Sequence, residues 1–221
     1  MGALNTVDQV RRWFQYSPMK LFYTPGACSL SPHIALREAQ LPFELVQVDL
    51  RAKTLTAGGN YLDVNPKGYI PALALDNGQL LTEGAIIVQY IADLKPETGL
   101  APREGTFERY RMQELLHFLA TELHKGLSPL YNPKANEEFK ESLKDRLRLR
   151  IGVLAQQLDG QDFLFKNAFS VADGYAYYCL RAWQKHTQTD LSAWPELARY
   201  YERLEARDSV VAALKAEGLT N

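Results

Sequence analysis

The feature that most constrains this chain is a change of pattern at Pro96. Before it, short β-favouring runs alternate with helical ones; after it, every apolar repeat has helical spacing. A chain of this kind has to fold as an α/β unit followed by an all-α unit. Lys20–Thr24 reads as a strand that Pro25-Gly26-Ala27 breaks. Ser31-Pro32 opens a helix predicted to run to about Ala39, with proline in the first turn. Phe43–Leu50 reads as a second strand, and residues 51–64 as irregular chain with a short helix ending near Val64. Ile70–Leu75 is a third strand, and Asp76-Asn77-Gly78 is a hairpin turn leading to its partner, Gln79–Thr82. A helix starts near Gly84, with Ile87, Ile91 and Leu94 inward. The order is β-α-β-α-β-β-α, which implies a three-layer arrangement with a proline leading the third strand.

The division that follows is an extension over residues 1–18, an α/β domain over 19–97, a linker over 98–105 and a helical domain over 106–221. The extension carries a capping box, Thr6-Val7-Asp8-Gln9, and ends at Ser17-Pro18 ahead of a second methionine, Met19. In the helical part, Leu115, Leu116, Leu119 and Leu123 mark one helix, and Leu147, Ile151, Leu154 and Leu158 another. Ser170-Val171-Ala172-Asp173 is a capping box for a helix with Val171, Tyr175, Cys179 and Ala182 on one face. That placement makes Cys179 a core residue. Trp194-Pro195 begins what reads as the last helix, through Leu204.

Charge narrows the function classes. The net charge is −1 and the pI about 6.4, so no basic field is available to hold nucleic acid or an anionic membrane surface. No run of about 18 apolar residues is present to span a bilayer, and the N-terminus lacks the apolar stretch of a secretory signal. Two cysteines in 221 residues read as reduced thiols of a cytoplasmic protein.

Four places could carry chemistry. Cys28 lies between a strand end and a helix start in Tyr23-Thr24-Pro25-Gly26-Ala27-Cys28-Ser29. The positive end of a helix and its free N–H groups are expected to lower the pKa of a thiol there. Without a second cysteine three residues on, Cys28 needs an external thiol partner. Tyr69-Ile70-Pro71 enters a strand, and its proline is compatible with a cis bond or an ordinary trans one. Thr82-Glu83-Gly84 offers helix N–H groups to a carboxylate and a glutamate to an ammonium, a match for a free amino-acid head, or else a plain helix cap. His117, Thr121 and His124 are spaced to share one helix face, which suits a cleft wall or a solvated face. Seven residues rise about 10.5 Å along a helix, too far for the two histidines to ligate one metal ion, so no metal is expected. Lys53 is a further candidate partner for a substrate carboxylate.

Several of these segments, in this order, resemble one family. Met19-Lys20-Leu21-Phe22-Tyr23-Thr24-Pro25-Gly26-Ala27-Cys28-Ser29-Leu30-Ser31-Pro32-His33, Val64-Asn65-Pro66-Lys67-Gly68-Tyr69-Ile70-Pro71-Ala72-Leu73, Leu81-Thr82-Glu83-Gly84 and Thr121-Glu122-Leu123-His124-Lys125-Gly126 are similar to the bacterial beta-class glutathione S-transferases. Phe169-Ser170-Val171-Ala172-Asp173 resembles the capping motif of that family's helical domain, and the likeness runs from Met19 to Leu219.

The resemblance implies a thioredoxin-like domain, an all-helical domain and a homodimer. It implies a transferase that conjugates glutathione, its co-substrate, to small hydrophobic electrophiles in detoxification. Cys28 would meet the glutathione sulfur, with a mixed disulfide and thiol–disulfide exchange within its reach, and His124 would assist from the helical domain. Ile70 would hold the cysteinyl part with Pro71 cis, Glu83 and Gly84 the γ-glutamyl head, and Lys53 the glycyl end. Thr121 would line the cleft, and Tyr23 matches a tyrosine near the family's start that is not the main activator of this class. Three positions depart: Gly84 leaves only a backbone donor, His117 replaces an expected asparagine, and Gly174 is a poor helix former, costing up to about 1 kcal/mol against alanine. A glutaredoxin-like reductase, or a non-catalytic binding protein of the same fold, are the alternative functions.

Overall fold

The structure is a computed structural model that describes residues 18–158, 160–165 and 168–219. The expectation for the N-terminal extension falls, except for Pro18, outside the described residues. Strands β1 (Met19–Tyr23), β2 (Phe43–Asp49), β3 (Thr54–Leu55), β4 (Ala72–Ala74) and β5 (Leu80–Thr82) form one sheet in the order β3-β2-β1-β4-β5. β1 runs parallel to β2, with Tyr23 opposite Gln47, and antiparallel to β4, with Phe22 opposite Ala72. The sheet is therefore mixed, and its centre is the strand that leads to Cys28.

Alternation along β1 sorts the core. Leu21 and Tyr23 point to the face covered by helices α1 (Leu30–Glu38) and α2 (Gly84–Leu94). Phe22 points to the other face, where it meets Val48, Leu55, Tyr61 and Ala72. A 3₁₀ turn, Tyr61–Asp63, supplies the covering layer on that side, so the three layers are present but one is a single short turn. β3, a two-residue edge strand paired with β2, lies in the segment expected to be irregular. Short polar strands carry too few alternating residues for a pattern to show.

The helical part comprises α3 (Phe107–Phe118), α4 (Glu137–Leu158), α5 (Val171–Thr187), α6 (Pro195–Glu205) and α7 (Asp208–Ala216). Leu204 does not end the helical series, because α7 follows after a break at Ala206 and Arg207. α3 does not stop cleanly either. It continues as a π-helical segment, Leu119–His124, and then one turn, Lys125–Leu127. α5 is the buried axis of this half and packs against α1 of the sheet domain. Its capping box is formed: the buried Asp173 carboxylate accepts from the Ser170 N–H and hydroxyl at 2.8 Å each, from the Leu164 N–H at 2.9 Å and from the Tyr200 hydroxyl at 2.8 Å. No helix among the described residues is long and apolar enough to cross a membrane.

Candidate active site

The loop after β1 turns on Gly26, whose φ of +70° is in the region that favours glycine. The turn delivers Cys28 to the N-terminal end of α1. Its position is held from the far end of the chain. The Gly26 N–H donates to Glu217 Oε2 at 2.8 Å, and Glu217 Oε1 lies 2.8 Å from His33 Nδ1. Arg37 Nε donates to His33 Nε2 at 3.0 Å, so the ring hydrogen sits on Nδ1 and is donated to Glu217. The His33 and Glu217 side chains are both fully buried. Glu217 is thus a tether for the cysteine loop, and nothing in its local sequence marks it.

The facing loop is equally fixed. The Tyr69 carbonyl accepts from the Tyr61 hydroxyl at 2.7 Å and from Asn65 Nδ2 at 2.8 Å. The Ile70–Pro71 bond is cis. The Cys28 thiol donates to the Ile70 carbonyl at 3.3 Å, so the two loops touch at the sulfur.

Burial pushes the Cys28 thiol up to about 12; its own N–H, that of Ser29 and the Lys125 charge pull the other way without overcoming it. This is opposite to the lowered pKa expected from the helix end. The helix-end donors are present, but removal from water outweighs them, and the group is a neutral hydrogen-bond donor at neutral pH.

From the opposite side come the π segment and α5. Burial, with the neighbouring Lys125 charge, lowers His124 to about 4, so its imidazole is neutral at pH 7. Its Nδ1 lies 2.9 Å from the Tyr175 hydroxyl, and its ring meets those of Tyr175 and Tyr178 edge-on. π segments recur at functional sites because they re-aim side chains.

These groups enclose two adjoining chambers. One, of about 260 Å³, is lined by Ile70, Pro71, Glu83, Gly84, Thr121 and His124, among others. Glu83 there has φ +70°, unusual outside glycine, and its carboxylate is 3.6 Å from Lys67 Nζ. The other, of about 360 Å³, contains Cys28, Lys53, Tyr131, Tyr178, Lys185 and His186. Tyr69, Ile70, His124 and Lys125 line both. Lys53 Nζ donates to the Gly68 carbonyl at 2.8 Å at the wall of the second chamber.

Two expected residues lie elsewhere. Tyr23 faces the helical layer of the core, lines neither chamber, and has its phenol pKa raised by burial and by Glu217. Strand alternation sends it away from the cleft. His117 lines a separate groove between α2 and α3 with Ile86, Gln89 and Arg109. The wider turns of the π segment swing His124 off the line that regular helical spacing predicts. Residues missed by sequence reasoning include Lys125, Asn65, Tyr131, Tyr178 and Lys185. Lys125 stands beside His124 and its ammonium lies 5.7 Å from the Tyr69 ring centre. Its adjacency to a candidate histidine was the one available signal.

The chain matches the model of the glutathione S-transferase N-terminal domain over residues 26–94 and that of the C-terminal domain over residues 118–208. It is 43% identical over 201 residues to the glutathione S-transferase GstA of Escherichia coli, covering 91% of this chain and 100% of the relative. A glutathione S-transferase of Xanthomonas campestris is 36% identical, again over 91% of this chain and all of the relative. Among solved structures, a ternary complex of BphK, a bacterial enzyme of this kind, shares 52% identity with a TM-score of 0.87, covering 90% of this chain and 100% of the other. A sphingomonad glutathione S-transferase complexed with glutathione shares 47% identity with a TM-score of 0.86, covering 91% and 100%.

Proposed function

The chain belongs to the glutathione S-transferase family, and on that premise we propose that it conjugates glutathione to small hydrophobic electrophiles across the two chambers. The observation that carries the proposal is that the neutral Cys28 thiol, the Ile70 backbone and the neutral His124 line one chamber. The γ-glutamyl head lies in the smaller chamber, with its ammonium toward Glu83 and its carboxylate toward the free N–H groups at the start of α2. The cysteinyl part runs along the backbone of Ile70, before Pro71, and the glycyl carboxylate reaches Lys53. Thr121 borders the head from the helical side.

The sulfur then meets Cys28. A protonated Cys28 donates a hydrogen bond to the glutathione thiolate, and the Lys125 charge further favours that anion. With the Tyr175 hydroxyl donating to Nδ1, His124 carries its hydrogen on Nε2 and is a second donor toward the sulfur. The thiolate lone pair attacks the electrophilic carbon; the C–S bond forms as the leaving group departs with its electrons, and the thiol proton passes to solvent.

The raised thiol pKa favours conjugation over a cycle in which Cys28 is itself the nucleophile. We further propose a homodimer through the exposed apolar face of α3, where Phe107 and Tyr110 are 68% and 61% accessible. The free state of both cysteines is consistent with the reducing cytoplasm.

The test is conjugation of 1-chloro-2,4-dinitrobenzene with glutathione, alongside retention on immobilised glutathione. Cys28→Ala should lower the conjugation rate about tenfold, the worth of one hydrogen bond to a charged group, and abolish any disulfide exchange. Failure to retain the protein on glutathione at millimolar affinity, or an unchanged rate in Cys28→Ala, would overturn the assignment.

A further inference from the structure

The wall of the larger chamber that faces away from Lys53 is not simply apolar. Along α5, Tyr178, Ala182 and Lys185 follow at i, i+4 and i+7, so they share one face and all three line the chamber. Tyr178 stands beside His124, with ring centres 5.1 Å apart. Lys185 lies about 10.5 Å further along the helix axis. Between them Ala182 is small and leaves room. Tyr131 packs on the same wall, its ring 4.2 Å from that of His186 and its hydroxyl beside that of Tyr178. The surface is an aromatic wall with its reactive end at Cys28 and His124 and a cation, Lys185, further along it.

The charge of this chamber is one-signed. Three lysines line the chamber, Lys53, Lys125 and Lys185, and no aspartate or glutamate does. The neighbouring surface behaves differently. Arg181, one turn earlier on α5, pairs with Glu205, and Lys140 and Lys144 on α4 pair with Glu137 and Glu141. Lys185 has no such partner among the described residues. Glutathione accounts for the other two: Lys53 takes its glycyl carboxylate and Lys125 its sulfur. His186 contributes no charge, since burial and the adjacent Lys185 lower its pKa. One cation is left over, at the position a second substrate reaches with its far end.

On the premise of the glutathione conjugation proposed above, we infer that the preferred electrophile is an aromatic or conjugated molecule carrying a carboxylate, seated against the Tyr131 and Tyr178 wall with its anionic end on Lys185. The ring lies over Ala182 along this wall, the electrophilic carbon faces the glutathione sulfur, and the carboxylate forms an ion pair with Lys185. Lys185 is a specificity residue in this arrangement and takes no part in bond making. A partly shielded ion pair discriminates through binding and through approach of the anion, and both weaken with salt.

Two electrophiles that share a ring and leaving group, one carrying a carboxylate and one uncharged, provide the test: 4-chloro-3,5-dinitrobenzoate and its methyl ester. The native protein should show a kcat/KM for the acid about tenfold above that for the ester, once each is corrected for its uncatalysed rate with glutathione. The excess should shrink as sodium chloride is raised. Lys185→Gln should remove most of it and Lys185→Glu should reverse it, with the ester changing less than about twofold in both. Lys185 is exposed, so neither variant endangers folding. Conjugation of the ester without preference for the acid, or equal losses for both in Lys185→Gln, would overturn the inference and leave the transferase function standing. If neither compound nor 1-chloro-2,4-dinitrobenzene is conjugated, the transferase function fails and the inference with it.

Discussion

The two walls of the cleft are made from different parts of the chain. On the sheet side the groups that face the cleft are mostly backbone: the Ile70 carbonyl, the N–H groups at the start of α2, and a turn that needs Gly26. The Ile70 carbonyl accepts from Cys28, the neighbouring Tyr69 carbonyl from Tyr61 and Asn65, and the Gly26 N–H donates to Glu217. On the helical side the groups that line the larger chamber are side chains: His124, Lys125, Tyr131, Tyr178 and Lys185. A backbone wall can bind only what every glutathione molecule shares. A side-chain wall can be altered residue by residue without disturbing the fold, and it is where a choice among electrophiles belongs.

The tether of the backbone wall is the place to break that contrast most severely. Glu217→Ala leaves the Gly26 N–H and the His33 Nδ1–H buried without an acceptor. Losing one partner from a buried polar network of this kind costs about 3 kcal/mol or more. Urea unfolding should show that loss, and conjugation should fall with it because the released loop carries Cys28. Glu217→Gln keeps an acceptor and should recover part of both. If Glu217→Ala matches the native protein in stability and rate, the sheet wall does not depend on the C-terminal segment.

The unequal legibility of the two walls follows from the same contrast. Backbone geometry needs special residues, so Pro25-Gly26, Ile70-Pro71 and Thr82-Glu83-Gly84 stand out in the sequence, and all three segments line the chambers. The alternation of strands and helices up to Pro96, and the helical spacing after it, likewise made the fold class readable from pattern alone. The helical wall lacks such punctuation. Lys125 and Lys185 look like ordinary solvated lysines, and only their positions in the turn after the π segment and along α5 bring them to one chamber. Tyr23 and His117 failed for a related reason: spacing alone did not reveal which side of a strand, or of a helix with a π turn, would face the cleft. The thiol pKa was misjudged because helix-end donors are visible in a sequence and depth of burial is not.

The helical wall has a pH dependence of its own. His124 is lowered from 6.5 to about 4, so between those values the unfolded chain binds a proton that the folded chain does not. Its contribution is complete above pH 6.5 and is lost as pH falls toward 4. The loss should be about 2 kcal/mol, after a discount for the partial exposure of the ring. Thermal melts from pH 7 to pH 4 should therefore fall more steeply for the native protein than for His124→Gln. Parallel curves would mean that the ring is already solvated and that the helical wall is looser than its contacts with Tyr175 and Tyr178 indicate.

Two glycines beneath that wall give the smallest effects, and opposite ones. A Cβ on Gly126, which follows His124 and Lys125, would lie 2.8 Å from Cδ2 of the buried Leu147. No ordinary contact is that short, and Leu147 is enclosed by the core, so Gly126→Ala should cost about 1 kcal/mol and displace the turn that carries Lys125. Gly174 lies in the first turn of α5, one residue before Tyr175, and the nearest atom to its added Cβ is Ile34 Cγ2 at 3.5 Å. That is ordinary van der Waals distance. Gly174→Ala should then gain up to about 1 kcal/mol from helix propensity alone. Because one substitution strains the wall and the other stiffens its support, the pair should shift melting temperature in opposite directions. A loss in both would show that α5 cannot approach α1 without the glycine, and that the domain contact under Tyr175, rather than the π segment, limits the helical wall.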